Sequence, residues 1–259
     1  MSSKKTLDTL VSDIYETVSV LNEGKSLNIS EEDIQKFGTA MMDVLRSWST
    51  PRDRSDQHNL RMSNVGKPMR QLWYDLKSEE EQTPIAPHVF IKFLYGHMLE
   101  EVLLLLAKLS GHSVKGEQKE VNVDGVIGHM DCIIDGEVVD IKTASGFSFK
   151  KFKYGTLRED DPFGYMAQLS GYEENEGTNK GGFLALNKET GEIALYCPEE
   201  LDKPNIKKRI KNIKKALTID NPPDRCYNSI PDGKSGNMKL PTGCVYCRHK
   251  TTCHQDAKE

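Results

Sequence analysis

Apolar residues recur at helical spacing near the start of the chain. Leu7, Leu10, Val11, Ile14, Val18 and Leu21 repeat every three or four positions, which predicts an amphipathic helix. Residues 22–25 break the pattern. Ser30 with Asp33 then predicts the capped start of a second helix, running to about Trp48 and followed by Pro51. Residues 51–60 are polar and predict a loop. A strongly apolar stretch at 86–109, opened by Ala86-Pro87, predicts a long core helix. Residues 117–123 predict a strand. Two short apolar runs, 130–134 and 138–141, flank Asp135-Gly136, a dipeptide that favours a tight hairpin turn. Residues 147–162 predict an exposed loop, and 182–186 and 192–196 two further strands. Residues 204–217 predict an amphipathic helix with Ile206, Ile210, Ile213 and Leu217 as its buried stripe. The order helix, strand, strand, strand, helix predicts a mixed sheet with helices packed on it, an α/β architecture.

The hairpin gathers chemistry. Asp131 is expected on its first strand, with Asp140 and Lys142 on its second. Residues two apart on a strand face the same side, so two carboxylates and an ammonium can meet. Carboxylate oxygens suit Mg²⁺ or Mn²⁺. A lysine beside them can orient or help deprotonate a water, or stabilise charge on a phosphate. The plainer alternative is a solvated hairpin with ordinary surface charges. The apolar helix adds Glu100 and Glu101. Such a helix leaves little free surface, so one glutamate must face something polar, and Glu100 is the expected one. His97 is expected to be a satisfied helix histidine, with a substrate contact as the alternative.

Composition limits the partners. The chain has 259 residues, 29% of them charged and 37% hydrophobic, with a net charge of −4. That length allows one sizeable core plus appendages. With no global basic field, nucleic-acid binding has to come from local patches. One is Lys207, Lys208, Arg209, Lys211, Lys214 and Lys215 on the polar face of the helix at 204–217, either a phosphate-tracking ridge or a solvated face. Another is the mixture of Lys150, Lys151 and Lys153 with aromatics at 147–162, which suits single-stranded nucleic acid or forms an ordinary loop. No apolar run reaches transmembrane length and no signal-peptide core is present, so a cytoplasmic protein is expected. Six cysteines in a reducing compartment suggest metal ligands rather than disulfides. Cys226, then Cys244-x2-Cys247-x5-Cys253, could bind Zn²⁺ tetrahedrally or hold a [4Fe–4S] cluster, with His254 as an alternative zinc ligand. Cys132 and Cys197 are expected in the core.

Asp131 followed by Asp140-Ile141-Lys142 resembles the PD-(D/E)xK nuclease superfamily. Four further features resemble its RecB-like branch, and so the CRISPR-associated iron–sulfur exonucleases and phage exonucleases. Ser63 and Arg70 fit the segment ahead of the core, although Pro68 stands where the iron–sulfur members carry a cysteine. Gly96 and Glu100 match a helix motif whose glutamate helps bind metal in phage-type members; RecB relatives place a histidine there. Gln168 and Tyr172 match the Q-x3-Y helix motif. The last three cysteines have the iron–sulfur spacing. The resemblance spans about residues 63–253. It implies a restriction-endonuclease-like mixed central sheet flanked by helices over 61–220, an N-terminal helical region over 1–60 and a cysteine-rich metal-binding tail over 221–259.

The implied activity is that of a metal-dependent DNA exonuclease acting on ends or single strands in recombination, replication or repair. Glu100, Asp131 and Asp140, with the Ile141 carbonyl, would bind Mg²⁺ or Mn²⁺, and Lys142 would position or activate the attacking water. Gln168 and Tyr172 would hold the strand, and Lys207, Lys208 and Lys211 would follow its backbone. Cys226 would replace the missing ligand at Pro68, and the N-terminal helices could dock a protein partner. The alternatives are a non-catalytic nucleic-acid-binding module and a structural metal protein.

Overall fold

Asp135 and Gly136 both take positive φ, 53° and 97°, the left-handed pair that a two-residue hairpin turn needs to match strand twist. In the computed structural model, which describes residues 5–50, 58–77, 86–245 and 247–255, this turn sits at the middle of a mixed α/β fold. Helices α1 (Leu7–Ser19), α2 (Glu31–Ser49), α3 (Met69–Lys77) and α4 (Pro87–Leu109) come first. Ser30 caps α2, its Oγ accepting from Asp33 N at 3.1 Å. Strands β1 (Val114–Lys115), β2 (Lys119–Val123), β3 (Val126–Met130), β4 (Cys132–Ile134) and β5 (Glu137–Ala144) follow, then α5 (Gly146–Lys153), α6 (Tyr165–Glu176), β6 (Gly182–Asn187), β7 (Ile193–Tyr196) and α7 (Ile206–Leu217). The C-terminal part holds β8 (Ile230–Pro231), β9 (Met238–Lys239) and the single turns α8 (Thr242–Val245) and α9 (Lys250–Cys253).

The main sheet has the order β1-β4-β5-β6-β7, with β5 and β6 parallel and the other pairs antiparallel. The parallel pair requires a crossover, which α5 and α6 supply. Alternation along β5 and β6 feeds two cores. Val138, Ala144, Phe183 and Ala185 face one side with Phe149, Phe152, Tyr172 and Ile210. Val139, Ile141, Leu184 and Leu186 face the other with Leu7, Leu10, Ile14, Leu103 and Ala107. Asp140 and Lys142 share the parity of Val138 and Ala144, so β5 turns them toward α5 and α6.

Several expectations need correction. The run 130–134 is not one strand. Met130 ends β3, which pairs with β2 in a separate two-stranded sheet, and Asp131 lies at the corner where the chain leaves that sheet for β4. The strand ahead of the hairpin therefore joins β3, not the main sheet. Residues 147–162 begin as a helix, because burying Phe149 and Phe152 on one face outweighs the polar lysines between them. Cys197 is exposed just past the end of β7, where Pro198 follows, while Cys132 is buried as expected. The helix at 204–217 starts at Ile206, because the Asn205 side chain accepts from Lys208 N at 2.9 Å.

Helix α2 buries none of its residues and packs on α4, with Trp48 Nε1 donating to the Phe90 carbonyl at 2.9 Å. Among the described residues no helix is long and apolar enough to cross a membrane.

The C-terminal segment is pinned to α3 by one buried carboxylate. Asp75 accepts from Lys67 Nζ at 3.0 Å, Arg248 Nη2 at 2.6 Å and His249 Nε2 at 2.7 Å. Burial opposes its charge, but His249, Lys67 and Arg248 hold it well below the usual carboxylate range. A depressed folded-state pKa contributes stability above the unfolded value, lost as pH falls below it. Removing one partner of such a network costs on the order of 3 kcal/mol. Asp75→Asn should therefore lower the melting temperature at neutral pH and speed proteolysis within 221–259, with the difference from wild type shrinking under acid. Equal melting and equal cleavage at pH 7 would refute the staple.

Candidate functional site

Strand β4 pairs no further than Cys132 with Val139, so the Ile141 amide lacks a β4 carbonyl. The Asp131 carboxylate takes its place, accepting from Ile141 N at 2.6 Å through Oδ2. This bond holds Asp131 against β5 even though it is not on a strand. Gln118 N steadies the same corner by donating to the Asp131 carbonyl at 3.1 Å. Asp140 is fully buried, and neither of its oxygens has a partner besides the Lys142 ammonium. Glu100 reaches in from α4 with its side chain 13% exposed. Its Oε1 accepts from Gln118 Nε2 at 2.8 Å, and Oε2 lies 3.7 Å from His97 Nδ1. The structure thus brings Asp131, Asp140 and Lys142 together, with Glu100 close enough for its charge to act on both aspartates.

The electrostatics follow from crowding. Loss of solvent, then the charge of Asp140, pushes Asp131 well above the usual carboxylate range, with Lys142 opposing. Burial raises Asp140 too, against the pull of Lys142. Burial works against the Lys142 ammonium, but Asp140 and then Asp131 hold its pKa above the ordinary lysine value. Lys142 therefore stays charged at neutral pH. Its Nζ also lies 4.7 Å from the centre of the Tyr165 ring.

As the side chains stand, no group of three or more His, Cys, Asp or Glu that could hold a metal ion forms among the described residues. Donor chemistry still fits a hard cation. Both Asp140 oxygens are buried without an N–H or O–H donor apart from Lys142. Hard divalent ions take such oxygens, and three carboxylates outnumber the single ammonium.

Gln168 and Tyr172 share a face of α6, where they bond to each other and to β3. Tyr172 is 1% exposed. Its hydroxyl donates to the His129 carbonyl at 2.7 Å and accepts from Gln168 Nε2 at 2.8 Å. The pair thus buttresses the end of β3, two residues before Asp131. Tyr165 stands one helical turn before Gln168 on the same face. Spacing of i, i+3, i+7 was the signal that could have joined it to the motif.

The basic patches are thinner than their sequences suggest. Lys207 pairs with Glu174 at 2.6 Å, and Lys214 donates to the Asp124 carbonyl. Arg209 is turned inward to the Val65 and Lys67 carbonyls. Lys208, Lys211 and Lys215 remain exposed on α7. On α5, Lys151 pairs with Asp160 at 2.6 Å and Lys153 with Glu192 at 2.5 Å.

Cys226, Cys244, Cys247 and Cys253 line one cavity of about 30 Å³, and Pro68 forms part of its wall. Arg70 Nε donates to Cys253 Sγ at 3.2 Å, and His254 Nε2 lies 3.2 Å from Cys244 Sγ. Burial, then the neighbouring thiolate charges of Cys247, Cys253 and Cys226, pushes Cys244 up to about 11. The donor set suits a soft or borderline metal.

No family model matches this chain, and no curated protein does. Solved structures do resemble it, among them the following two. The crystal structure of SSO0001 shares 18% identity over 87% of this chain and 98% of that one, with a TM-score of 0.40. An alkaline exonuclease (LHK-Exo) from Laribacter hongkongensis shares 14% identity over 67% of this chain and 92% of its own, with a TM-score of 0.45.

The crowded carboxylates generate a prediction about stability. Two carboxylates crowded into a desolvated site repel each other when both are ionised. Asp131→Asn removes one charge and keeps an oxygen for the Ile141 amide. In chelator the variant should melt above the wild type, with the gain growing as pH rises and Asp131 ionises, each kcal/mol relieved being worth about 2–4 °C in a chain of this size. A lower melting temperature would show that repulsion does not dominate the site.

Proposed function

We propose that this chain is a metal-dependent deoxyribonuclease with a restriction-endonuclease-like core of the RecB-like PD-(D/E)xK type, and that it works as an exonuclease on DNA ends or single strands. The observation that carries this reading is the convergence of Asp131, Asp140, Lys142 and Glu100 from a corner, a strand and a helix around buried, donor-poor carboxylate oxygens. Buried carboxylates set against one another cost stability, and such sites are characteristically functional.

Glu100, Asp131 and Asp140, with the Ile141 carbonyl, would hold Mg²⁺ or Mn²⁺. That cation would neutralise charge on the scissile phosphate and make water a stronger acid. The remaining work falls to the chain. With its ammonium held by Asp140 and Asp131, Lys142 serves as a hydrogen-bond donor and positive charge toward the phosphate or the attacking water. Tyr165 and Asp140 fix its ammonium. Tyr172 and Gln168 fix the backbone that presents Asp131. Lys208, Lys211 and Lys215 are the exposed cations available to a phosphate backbone.

Labelled 5′- and 3′-end oligonucleotides, single-stranded and duplex, test this with Mg²⁺ or Mn²⁺. Wild type should cleave only with the metal. Asp140→Asn and Lys142→Ala should each lose on the order of a thousandfold in rate while retaining DNA binding. Near wild-type cleavage by both variants, or no cleavage by wild type, sinks the reading. DNA binding without cleavage would leave a nucleic-acid-binding module.

We further propose that Cys226, Cys244, Cys247 and Cys253 hold one metal centre. What supports it is that all four face a single cavity and that Cys226 stands with Pro68 in its wall. Four thiolates suit Zn²⁺, and a [4Fe–4S] cluster is the alternative that the spacing suggests. Elemental analysis of anaerobically purified protein should give one zinc per chain; iron with labile sulfide would select the cluster instead. Cys247→Ser should lower the metal content and the melting temperature. Protein with neither metal defeats the proposal.

A further inference from the structure

Phe163 is 58% exposed, yet it is held in place. Its ring stacks on Tyr165, with centroids 5.4 Å apart and planes at 28°. Tyr165 in turn lies beneath Lys142 Nζ. One open aromatic face therefore stands two contacts from the ammonium of the proposed active site. Phe163 and Lys142 line the same cavity of about 230 Å³, together with Ser145, Ser148 and Lys188.

The turn that carries Phe163 is built rather than loose. Asp161 Oδ1 accepts from Gly164 N and Tyr165 N, and Oδ2 from Met166 N, each at 2.9 Å. Gly164 takes φ 76° and abuts Gly66, so that a Cβ on Gly164 would stand 2.2 Å from the Gly66 backbone. Both residues must be glycine for this approach. An aromatic ring fixed in advance loses little freedom on binding.

Charge in the cavity points to the ligand. Asp161 is spent on the α6 amides, and Asp160 is paired with Lys151. Lys188 has no carboxylate partner among the described residues; its Nζ sits 5.5 Å from the centre of the Tyr95 ring. The cavity thus offers cations and hydroxyls within, and a flat apolar face at its mouth. A nucleotide has the complementary pair of features, an anionic phosphate and a flat base. In duplex DNA the base faces are already stacked, so the ring can be used only by a base that is unpaired or frayed.

We propose that Phe163 is a stacking platform for the base of an unpaired nucleotide in a DNA strand whose phosphate enters the cavity toward Lys142. This deepens the nuclease reading and rests on it, and it makes the preferred substrate a single strand or a frayed end. Base–aromatic stacking is sequence-tolerant, and one such contact corresponds to about tenfold in affinity.

The test uses the full chain carrying Asp140→Asn, which binds without cutting, and single-stranded oligonucleotides with 2-aminopurine placed at successive positions. One position should be quenched on binding. Adding Phe163→Ala should abolish that quenching and weaken single-strand binding about tenfold, while Phe163→Trp preserves both. Blunt duplex should bind the two proteins alike, as should an oligonucleotide abasic at the quenched position. Unchanged quenching and affinity in Phe163→Ala overturn the proposal, as does an equal loss on the abasic strand. If wild type cleaves DNA while Phe163→Ala leaves single-strand affinity and quenching intact, the platform alone fails. If wild type neither binds nor cleaves DNA, the nuclease reading fails and takes the platform with it.

Discussion

The bond from the Ile141 amide to the Asp131 carboxylate is the constraint on which the site depends. A β-ladder ordinarily satisfies an amide with a neighbouring carbonyl, and a buried amide left without a partner costs about 1–3 kcal/mol. Here the neighbouring strand stops at Cys132, and the preceding residues turn away into a second sheet. An acidic side chain takes the acceptor position. The same substitution brings Asp131 to β5 beside Asp140, whose own place is set by strand alternation. Interrupting the sheet thus both orphans an amide and supplies the charge that satisfies it.

That arrangement leaves a surplus of negative charge. Asp131, Asp140 and Glu100 face a single lysine, and burial weakens the screening that would let them coexist. The chain offsets part of the cost through Lys142, whose ammonium the two aspartates stabilise, while burial and Asp140 displace Asp131 upward. A divalent cation would balance the remainder more fully than either. On the proposed reading, the burial that makes the site costly for the fold is also what would favour a positive ligand.

Local pattern made much of this legible, and non-local pairing hid the rest. The Ser30 cap, the Asp135-Gly136 turn, the apolar α4 and the strands β6 and β7 all follow from neighbouring residues. So does the meeting of Asp140 with Lys142, because alternation is a local rule. Which strand β3 pairs with is a long-range choice, and the corner at Asp131 depends on it. Helix α5 was hidden because Phe149 and Phe152 read equally well as stacking groups until a core stood beneath them. The Q-x3-Y spacing placed both residues on one helix face but hid the depth of Tyr172, which belongs to the same core as Met62, Met130 and Phe183. Asp75 and its partners Arg248 and His249 are more than 170 residues apart, and no motif links them. The exposed lysines of α7 were countable, but their pairing with Glu174 and the Asp124 carbonyl was not.

Helix α6 is what ties these parts into one object. Its inner face carries Met166, Leu169 and Tyr172 into the core, so its position is set by packing that tolerates little shift. From that fixed position Tyr172 and Gln168 hold the end of β3, and through it the corner at Asp131. One turn earlier Tyr165 lies beneath Lys142. At the helix start Asp161 takes three backbone amides and thereby fixes Phe163 at the cavity mouth. A carboxylate, an ammonium and an exposed ring, drawn from three separate segments, are referenced to one buried helix. Their relative geometry therefore does not rest on the loops between them, and the core packing that stabilises α6 also preorganises the site.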